Sequence, residues 1–514
     1  MSKTEISRRS LLQAVTVGVV AVSGGTALNM AVPGTAEALV RKLPGSWDET
    51  WDVIVVGSGF AGLSAAAEAA AAGAKTLILE KMPTYGGNSI INGGVFAAWD
   101  DKWHYREKLN LGTDSPEQHW QDILKGGDYY SIPELAKAVA DGAADALEWV
   151  VEDGGAELRP TVTRAGGHTA YRTHAAKSGV GREYTEALRK IAEKHGVKPT
   201  LNSQVTWIWR ADADPKSPVL GLEVKRGKKV VNLRATKAVI LASGGFSQNV
   251  EMRSAHNPRL TDEYNCTNHK GATGEIHKYA QAVGADTLQM NFIQLYPYAE
   301  PETGLLDAQA VYPFNGPGYG ILYVTKQGKR FVNELERRDV VAYAQINLGK
   351  DAKPTWSIFN EAMVLPMGGA QEEIDEGLKR GRFIKAETIP ELAEKCKIPS
   401  DALVDTVNKY IQYHKDGKDP EFNKPITPAM ISLEKGPFYA IAQWPAVHFC
   451  MGGLRANASA QVIDIFGTPI PKLYAAGEVV GGIHGSNRLG SNAIPSCIVF
   501  GRTAGRNAAK ESAA

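Results

Sequence analysis

The stretch Val53-Ile-Val-Val-Gly-Ser-Gly-Phe-Ala-Gly62 decides the fold class of this 514-residue chain. A β-branched run comes first, three glycines follow at Gly57, Gly59 and Gly62, and an alanine-rich run extends from Ala61 to Ala72. This order predicts a buried strand, a tight glycine turn and a long helix. The sequence therefore indicates an α/β fold that begins with a Rossmann-like βαβ unit.

The glycines and a nearby acid fit the binding of a dinucleotide. Gly57 allows the tight turn, Gly59 lets a pyrophosphate approach the backbone, and Gly62 lets helix and strand pack closely. A second predicted strand, Lys75 to Leu79, ends in Glu80. That acid comes about twenty residues after the glycines, where a carboxylate binds a ribose hydroxyl. The alternative is an ordinary βαβ turn with a solvated glutamate, and we favour the dinucleotide site.

Further glycine-rich segments favour FAD over NAD. Gly86-Gly-Asn-Ser89 follows the acid, and Ala242-Ser-Gly-Gly-Phe246 follows another apolar strand. Near the C-terminus, Leu473 to Ile494 is too rich in glycine for a helix and too apolar for a free loop, and it carries Glu478 and Arg488. FAD needs such extra loops because its isoalloxazine ring is held far from its adenine.

Composition excludes several functions. The chain carries 57 lysines and arginines against 56 acids, and the charges are mixed along the sequence, so no nucleic-acid partner is expected. The spacing of the cysteines matches neither a c-type haem site nor an iron–sulfur site, and no metal site is predicted. Of the four cysteines, Cys266, Cys396, Cys450 and Cys497, we expect Cys450 and Cys497 to be buried thiols, because they lie in apolar or cofactor-binding segments.

The N-terminus has the pattern of an export signal. Ser7-Arg-Arg-Ser-Leu-Leu12 is followed by an apolar run, Val15 to Val22, and by a small-x-small cleavage site, Ala36-Glu-Ala38. The apolar run is too short for a stable membrane span. We therefore interpret residues 1–38 as a twin-arginine signal peptide and expect the mature protein in the periplasm. The alternative is a basic N-terminus on a cytoplasmic protein.

Six motifs carry a resemblance to a known family. They are GSGFAG, GGNS, ASGGF, GKRFVNE, HFCMGG and AAGEVVGGIHGSNRLGSNAI, and they occur in family order. From about residue 50 to its end, the chain resembles the FAD-dependent flavoprotein subunits of succinate dehydrogenase and fumarate reductase. It is most similar to their soluble periplasmic branch, which includes flavocytochrome c fumarate reductase and urocanate reductase.

The resemblance implies a discontinuous Rossmann-like FAD-binding domain with an inserted α+β capping domain. The first part of the FAD-binding domain is expected over residues 39–290, the capping domain over 291–447, and the second part over 448–514. Within the insertion, the sequence predicts helices near Glu361–Arg382 and Pro390–Asp416.

The resemblance also assigns residues to FAD. Glu478 matches the acid that binds the ribityl chain, and Ser491 to Ile494 places a helix N-terminus under the pyrimidine edge of the flavin. No histidine follows Gly86-Gly87, where membrane-bound relatives attach FAD covalently, so non-covalent FAD is expected. The expected cofactor-binding residues are Gly57, Gly59, Ala61, Gly62, Glu80, Lys81, Gly87, Asn88, Ser89, Gly93, Gly94, Val205, Ser243, Gly244, Gly477, Glu478, Arg488, Ser491, Ala493 and Ile494.

Three residues match the catalytic positions of the family. Arg338 matches the arginine that protonates one carbon of the substrate double bond. Arg488 matches the arginine that clamps the substrate carboxylate, and a planar guanidinium suits that task because it binds carboxylate bidentately. His448 matches a histidine that binds the same carboxylate. The alternative for Arg338 is a surface pair with Arg337 that neutralises neighbouring glutamates.

The chain departs from the fumarate reductases at two segments. In Gln294-Leu-Tyr-Pro-Tyr298, Tyr296 replaces the family's histidine, as in urocanate reductase, and is a fourth candidate catalytic residue. Tyr312 to Tyr319 lacks the threonine, glutamate and arginine that bind a second carboxylate and relay protons. Fumarate is therefore expected to bind poorly. Acids that could hold an imidazole are missing at the matching positions, with Asp100 and Asp307 as possible substitutes.

The expected substrate is an α,β-unsaturated carboxylate with an apolar or aromatic end, similar to acrylate, methacrylate, cinnamate or urocanate. Its end would face the aromatic residues Phe96, Trp99, Tyr296, Tyr312, Phe314 and Phe449. The expected function is anaerobic reduction of the C=C bond, with electrons from a multihaem cytochrome c or a quinol-linked subunit. The alternatives are a fumarate reductase, a flavin dehydrogenase that introduces a C=C bond as ketosteroid dehydrogenases do, and a non-catalytic FAD electron-transfer module.

Overall fold

The computed structural model describes residues 41–212 and 214–513. The predicted signal peptide, residues 1–38, lies outside these ranges. Within them, none of the helices combines the length and the apolar character that crossing a bilayer requires.

Strands and helices alternate through the first half of the chain, as the sequence predicts. In chain order the strands are β1 Glu49–Val56, β2 Thr76–Leu79, β3 Val95–Ala97, β4 Leu158–Thr163, β5 Thr173–Ala176, β6 Pro199–Thr200, β7 Ser203–Arg210, β8 Val219–Arg226, β9 Lys229–Leu241, β10 Thr287–Leu288, β11 Ile293–Ala299, β12 Leu322–Val324, β13 Thr355–Asn360, β14 Phe383–Ala386, β15 Phe438–Cys450, β16 Gly453–Leu454, β17 Gln461–Ile463 and β18 Pro469–Ala475. The helices are α1 Phe60–Ala71, α2 Asn88–Ile91, α3 Tyr105–Lys108, α4 Pro116–Gly126, α5 Pro133–Glu152, α6 Arg182–Lys194, α7 Val250–His256, α8 Glu275–Ala282, α9 Val311–Asn315, α10 Arg338–Asn347, α11 Gln371–Lys379, α12 Ile389–Cys396, α13 Ser400–Asp416 and α14 Ala493–Lys510.

The largest sheet joins the two ends of the described chain. Its main path runs β17-β18-β9-β1-β2-β6, and β7 and β8 extend it from β9. Strand β1 pairs in parallel with both β2 and β9, and β18 pairs in parallel with β9. Parallel strands that are buried on both faces read as continuous apolar runs, which explains the sequence of β1. The carboxyl ends of β1, β9 and β18 therefore meet at one edge of the sheet.

Helices α1 and α14 pack so closely that only glycine fits at two contact points. A Cβ atom at Gly501 would lie 2.5 Å from the carbonyl oxygen of Ala61, and one at Gly505 would lie 2.2 Å from that of Ala65. The alanine-rich sequence of α1 and the two glycines of α14 thus fix the C-terminal helix against the first helix. This contact brings the segment before α14 next to the glycine turn after β1.

A second sheet lies within the region where the capping domain is predicted. It is antiparallel with the order β11-β15-β13-β12, and β14 also pairs with β15. Its core contains stacked and edge-on aromatic rings, including Tyr312, Phe359, Phe383 and Tyr439. The predicted boundary at residues 447 and 448 falls inside β15, and the division into domains stays a prediction.

Two predicted helices in this region are shorter than expected. The stretch predicted over Glu361–Arg382 contains one 3₁₀ turn, Glu361–Met363, and the helix α11. Gly368 adopts a φ of +81°, which breaks a continuous helix. The stretch predicted over Pro390–Asp416 is divided into α12 and α13 because Lys397 takes a left-handed conformation and Pro399 follows it.

Candidate active site

The glycine turn after β1 forms one wall of a long cavity. Gly57 has a φ of +104°, and a Cβ atom there would lie 2.3 Å from the carbonyl oxygen of Ala242 at the end of β9. A Cβ atom at Gly62 would lie 1.9 Å from the carbonyl oxygen of Gly57. The turn thus requires glycine at both positions. Phe60 and Ala61, at the start of α1, line the cavity, and the N–H of Phe60 donates to the hydroxyl of Ser89 at 2.9 Å.

Glu80 lies at the end of β2 beside this turn. Its carboxylate accepts hydrogen bonds of 2.6 Å from the hydroxyl and 3.2 Å from the backbone N–H of Ser58, and one of 3.0 Å from the N–H of Met82. These bonds fix the acid at the cavity wall, where the sequence predicts a ribose. Ser58, which holds it there, was not among the predicted site residues.

Two cavities follow one another along this edge of the sheet. The first is lined by the glycine turn, Glu80 and the loop 269–276, and the second has a volume of about 260 Å³. They share five wall residues, which are Phe60, Asn88, Ser89, Glu478 and Cys497. A continuous, elongated site of this kind suits an extended dinucleotide better than a compact one.

Eighteen of the twenty predicted cofactor residues line one cavity or the other. The exceptions are Gly62, which serves helix packing, and Gly94, whose Cβ atom would lie 2.7 Å from the backbone of Val180. Sequence reasoning missed the wall segments Thr267–His269 and Gly271–Ile276. The glycine spacing in Gly271-Ala-Thr-Gly274 is a signal that could have identified the second of these segments.

Glu478 lies where the two cavities meet. It accepts a hydrogen bond of 3.0 Å from the backbone N–H of Cys450, and the amide of Asn88 lies at 3.5 Å. Burial raises the pKa of Glu478 to about 7. The carboxyl group can therefore accept or donate a hydrogen bond near neutral pH, which suits contact with the hydroxyls of a sugar-like chain.

Arg338 and Arg488 both line the second cavity, and neither forms an ion pair within residues 41–212 and 214–513. Arg488 is only 4% exposed, and its Nε has no hydrogen-bond partner among those residues. Burial lowers the pKa of both guanidinium groups, and the neighbouring Arg338 contributes to lowering the pKa of Arg488 to about 9. Two neighbouring cations without an ion-pair partner among these residues, one buried and one partly buried, form a site for an anion.

Aromatic rings and one amide hold the two guanidinium groups. Arg338 lies over the rings of Tyr296 and Phe314, at 5.3 and 5.1 Å from their centroids. Arg488 lies 4.7 Å from the centroid of Phe449. Such cation–π contacts hold a guanidinium in place without neutralising its charge.

Gln294 connects the two arginines through hydrogen bonds. Its Nε2 donates to the carbonyl oxygen of Arg488 at 2.7 Å and to Asn487 at 2.9 Å. Its Oε1 accepts from Arg338 at 3.4 Å. The neighbouring Arg337, in contrast, pairs with Asp128 and Asp339 outside the cavity. The structure therefore separates the adjacent arginines, with Arg338 in the cavity wall and Arg337 in an ion-pair cluster.

His448 completes the group. Its Nδ1 lies 2.7 Å from the hydroxyl of Thr267, and its ring lies 4.9 Å from that of Tyr296. Burial, together with Arg488 and Arg338, lowers the pKa of His448 well below its ordinary value, so the ring is neutral. When Thr267 donates to Nδ1, the proton of the neutral ring lies on Nε2, which can donate to a carboxylate.

Tyr296 contributes its ring rather than its hydroxyl. The hydroxyl donates to the carbonyl oxygen of Ala310 at 3.2 Å, and burial raises the pKa of the phenol. Of the six aromatic residues proposed from the sequence, Tyr296, Phe314 and Phe449 line the second cavity. The other three do not: Phe96 packs on Tyr184 and Tyr312 belongs to the aromatic core of the second sheet, with Trp99 also outside the wall.

Acids occur on the wall formed by residues 306–315 and 368–373. Asp307 lines the cavity and pairs with Arg382 at 2.6 Å, whereas Asp100 is absent from the wall. Glu373 also lines it and lies 3.7 Å from Arg159. Sequence reasoning missed Glu373 and Arg159 because no motif surrounds them. This wall is otherwise mostly apolar, with Leu306, Ala308, Val311 and Phe314.

Residues 52–494 match the family described as FAD binding domain. The chain belongs to this family. The FAD-binding protein is 38% identical to urocanate reductase of Eggerthella lenta over 489 residues, which are 93% of this chain and 76% of the relative. It is 36% identical to the acrylate reductase flavoprotein subunit of Shewanella woodyi over 495 residues, which are 94% of this chain and 96% of the relative.

Solved structures agree with the fold of this FAD-binding protein. An open conformation of a flavocytochrome c3 fumarate reductase superposes with a TM-score of 0.73 at 33% identity, covering 90% of this chain and 79% of that one. A 3-ketosteroid-delta4-(5alpha)-dehydrogenase from Rhodococcus jostii RHA1 gives a TM-score of 0.69 at 24% identity, covering 92% of this chain and 100% of that one. The second likeness concerns the fold alone.

The cofactor of this FAD-binding protein is FAD, and the site fits it. The glycine cradle at Gly57 leaves no room for a side chain, Glu80 is fixed at the first cavity, and Glu478 lies at the junction of the two. The predicted recognition, fold class and cofactor are thereby confirmed. The non-covalent binding of FAD stays a prediction.

Replacing Gly57 by alanine should yield a protein that does not retain FAD. The added Cβ would overlap the carbonyl of Ala242 and would hold a residue at a φ that side chains rarely adopt. The flavin absorbance of purified protein measures the outcome. Gly73→Ala is the matched control, because its φ is +84° but nothing lies within 4 Å of the added Cβ. An FAD-saturated Gly57→Ala protein would contradict the assignment of the cradle.

Proposed function

We propose that the protein is an FAD-dependent reductase of the C=C bond of an α,β-unsaturated carboxylate. The observation that carries the proposal is that Arg338 and Arg488 have no ion-pair partner among the described residues and share a cavity wall with neutral His448. Relatives named urocanate reductase, acrylate reductase flavoprotein subunit and NADH:acrylate oxidoreductase support this reaction class.

In the proposed reaction, Arg488 binds the substrate carboxylate with its planar fork, and His448 donates its Nε2 proton to the same group. This contact withdraws electrons from the conjugated double bond. A reduced FAD held along the two cavities would supply the hydride for one alkene carbon. Arg338 then transfers a proton to the other carbon, so that one hydride and one proton saturate the bond. Burial favours the transfer because it lowers the pKa of the Arg338 guanidinium.

Tyr296 is proposed to support this chemistry as a packing partner of both groups. Its ring contacts Arg338 and His448, and its hydroxyl is bound to Ala310. The ring therefore holds the guanidinium and the imidazole at a fixed separation. Reprotonation of Arg338 through the open cavity by water fits this geometry, since the family's relay residues are absent between Tyr312 and Tyr319.

The substrate is proposed to carry a single carboxylate and an apolar or aromatic end. The wall of residues 306–315 and 368–373 offers apolar side chains together with Asp307 and Glu373, each of which pairs with an arginine, so it presents no unpaired cation to a second carboxylate. Arg159 lines this wall and is already engaged, because it donates to the carbonyl oxygens of Gly368 and Lys177 and lies near Glu373. Fumarate, a dicarboxylate, is the less suitable substrate.

An anaerobic assay with reduced viologen across acrylate, methacrylate, cinnamate, urocanate and fumarate tests this proposal. We expect at least one monocarboxylic enoate to exceed fumarate in kcat/KM by about thirtyfold or more, because an unpaired buried carboxylate costs about 2 kcal/mol or more. Buffer with free FAD in place of the protein is the control. Fumarate as the clear best substrate would refute the substrate proposal, and inactivity toward every enoate would refute the reaction.

Electrons are proposed to come from a separate protein, either a multihaem cytochrome c or a quinol-linked subunit. The composition of the chain, which has no haem-binding or iron–sulfur spacing, supports a separate donor, and one relative is named as a flavoprotein subunit. The twin-arginine pattern supports a periplasmic location and a role in anaerobic respiration. FAD is proposed to be dissociable, since residues 88–94 contain no histidine.

A further inference from the structure

Ser491 is a strained residue at the centre of the proposed site. It has a φ of +62°, in the left-handed region that residues other than glycine rarely adopt. It lies between Arg488 and the start of α14, and it lines the second cavity. A strained conformation persists only where its surroundings determine it. The contacts of residues 490–492 should therefore reveal what holds this segment.

Four hydrogen bonds join these three residues to His168, His119, Ala97 and Thr173, none of which lines either cavity. The carbonyl of Gly490 accepts a bond of 2.8 Å from His168, and the side chain of Asn492 lies 2.7 Å from His119. The Ser491 carbonyl accepts from the N–H of Ala97 at 3.0 Å, and its hydroxyl bonds to Thr173 at 2.7 Å. Every residue of the segment thus has a partner outside it.

The bond from His168 depends on a buried ion-pair cluster behind it. Arg172 donates to the Nδ1 of His168 at 2.9 Å, to Asp122 at 2.5 Å and bidentately to Asp114 at 2.7 and 2.8 Å. Arg172 is 0% exposed and His168 is 3% exposed. Because an arginine can only donate, Nδ1 of His168 is the acceptor. The proton of the neutral ring therefore lies on Nε2 and is donated to the carbonyl of Gly490.

The backbone of Gly490 also lies beside Arg338. A Cβ atom at Gly490 would lie 3.3 Å from the guanidinium of Arg338, so the Gly490 backbone is packed directly against it. The carbonyl that His168 binds therefore belongs to a residue that follows Arg488 by two positions and contacts Arg338. A displacement of this backbone would move the carboxylate-binding arginine and the start of α14 together.

We infer that His168, oriented by Arg172 and its two aspartates, is a positioning residue that holds the 490–492 segment, and with it Arg488 and the N-terminus of α14, in the geometry the reaction needs. Thr173 has the same role through the Ser491 hydroxyl. The inference rests on the proposed function, because it assigns a task to Arg488. It adds His168, from the loop before β5, and Thr173, from β5 itself, neither of which lines either cavity.

The test compares His168→Phe with His168→Gln in the FAD-loaded full chain. Phenylalanine keeps the ring volume but removes both hydrogen bonds, whereas glutamine can accept from Arg172 and donate to Gly490. We expect His168→Phe to weaken the binding of 3-phenylpropionate or propionate, followed by the flavin difference spectrum, by roughly 10–100-fold. The reduction potential of the bound FAD should become more negative, because the N-terminus of α14 faces the flavin less well. His168→Gln should restore most of both properties.

His414→Phe is the matched control, because His414 also bonds a backbone carbonyl, that of Met430 at 3.0 Å, but lies outside both cavities. It should leave both readouts unchanged. Wild-type potential and carboxylate affinity in His168→Phe, or equal impairment in His168→Gln, would overturn the inference. If His168→Phe does not fold, Thr173→Val provides the test. An unchanged FAD reduction potential and carboxylate affinity in Thr173→Val would also overturn the inference. A wild-type protein that reduces no enoate would instead refute the proposed function, and the potentials would still test the positioning.

Discussion

Replacing Arg338 by glutamine is expected to leave FAD bound and to lower kcat for enoate reduction by about 10³-fold, within the range that loss of a general acid produces. Glutamine keeps a polar group near Gln294, but its amide cannot act as a general acid. Binding of the saturated carboxylate should change little, because Arg488 and His448 hold that group. Steady-state rates with reduced viologen, together with the flavin spectrum, measure the effect.

The neighbouring arginine provides the control for this prediction. Arg337→Gln removes an ion-pair cluster with Asp128 and Asp339 at the protein surface. Its effect on kcat should stay below about fivefold, because exposed ion pairs contribute about 1 kcal/mol or less. If Arg338→Gln retained full enoate reduction, Arg338 would not be the proton donor. Electron transfer that persisted in Arg338→Gln without any wild-type enoate turnover would support the alternative of an electron-transfer module.

The elements around the cofactor were predictable because local sequence determines them. The strand, turn and helix from β1 to α1 follow from β-branched residues, glycines and alanines that are adjacent in the chain. Convergence of the glycine-rich segments follows from topology, since the carboxyl ends of neighbouring parallel strands meet at one edge. For this reason most predicted cofactor residues line the cavities. Gly62 instead serves helix packing, which is the role that its position in the motif indicates.

The parts that the sequence did not predict depend on contacts between distant segments. Glu373 and Arg159 meet on the cavity wall although they are more than 200 residues apart, and neither lies in a motif. The same is true of His168, whose partner Gly490 belongs to a predicted segment while His168 does not. The direction of the Tyr296 hydroxyl, toward Ala310, is set by packing in the second sheet, which residue identity alone does not encode.

The charges of the site depend both on the local sequence and on contacts between distant segments. The sequence places acids close to Arg338, at Glu334, Glu336 and Asp339. The structure nevertheless leaves the guanidinium groups of Arg338 and Arg488 without an ion pair among the described residues. A buried cation without an ion-pair partner is costly, so the surroundings of Arg488, with Arg338 beside it, favour the binding of one anion. Glu478, whose pKa burial raises to about 7, does not fully neutralise Arg488 near neutral pH.

Replacing Arg488 by lysine is expected to raise KM for the enoate by roughly 10–10²-fold, because the change removes one hydrogen bond to the charged carboxylate, which is worth about 1.5–3 kcal/mol. Lysine keeps a positive charge but not the planar fork that binds both carboxylate oxygens. Since the carboxylate contact also orients the double bond, kcat should fall as well. Initial rates at saturating viologen over a wide range of enoate concentration separate the two effects.

Arg502→Lys is the control for this substitution, because Arg502 is also largely buried and lies on α14, but pairs with Glu68 and Asp145 away from the cavities. The pH profile gives a second readout. Burial and Arg338 lower the pKa of Arg488 to about 9, so the free enzyme loses the clamping charge above that pH. Wild-type kcat/KM should therefore fall above about pH 9, while kcat, which reports the carboxylate-bound form, should fall only at higher pH. An unchanged KM in Arg488→Lys would place the carboxylate elsewhere in the cavity and would leave the anion site of Arg488 without a function.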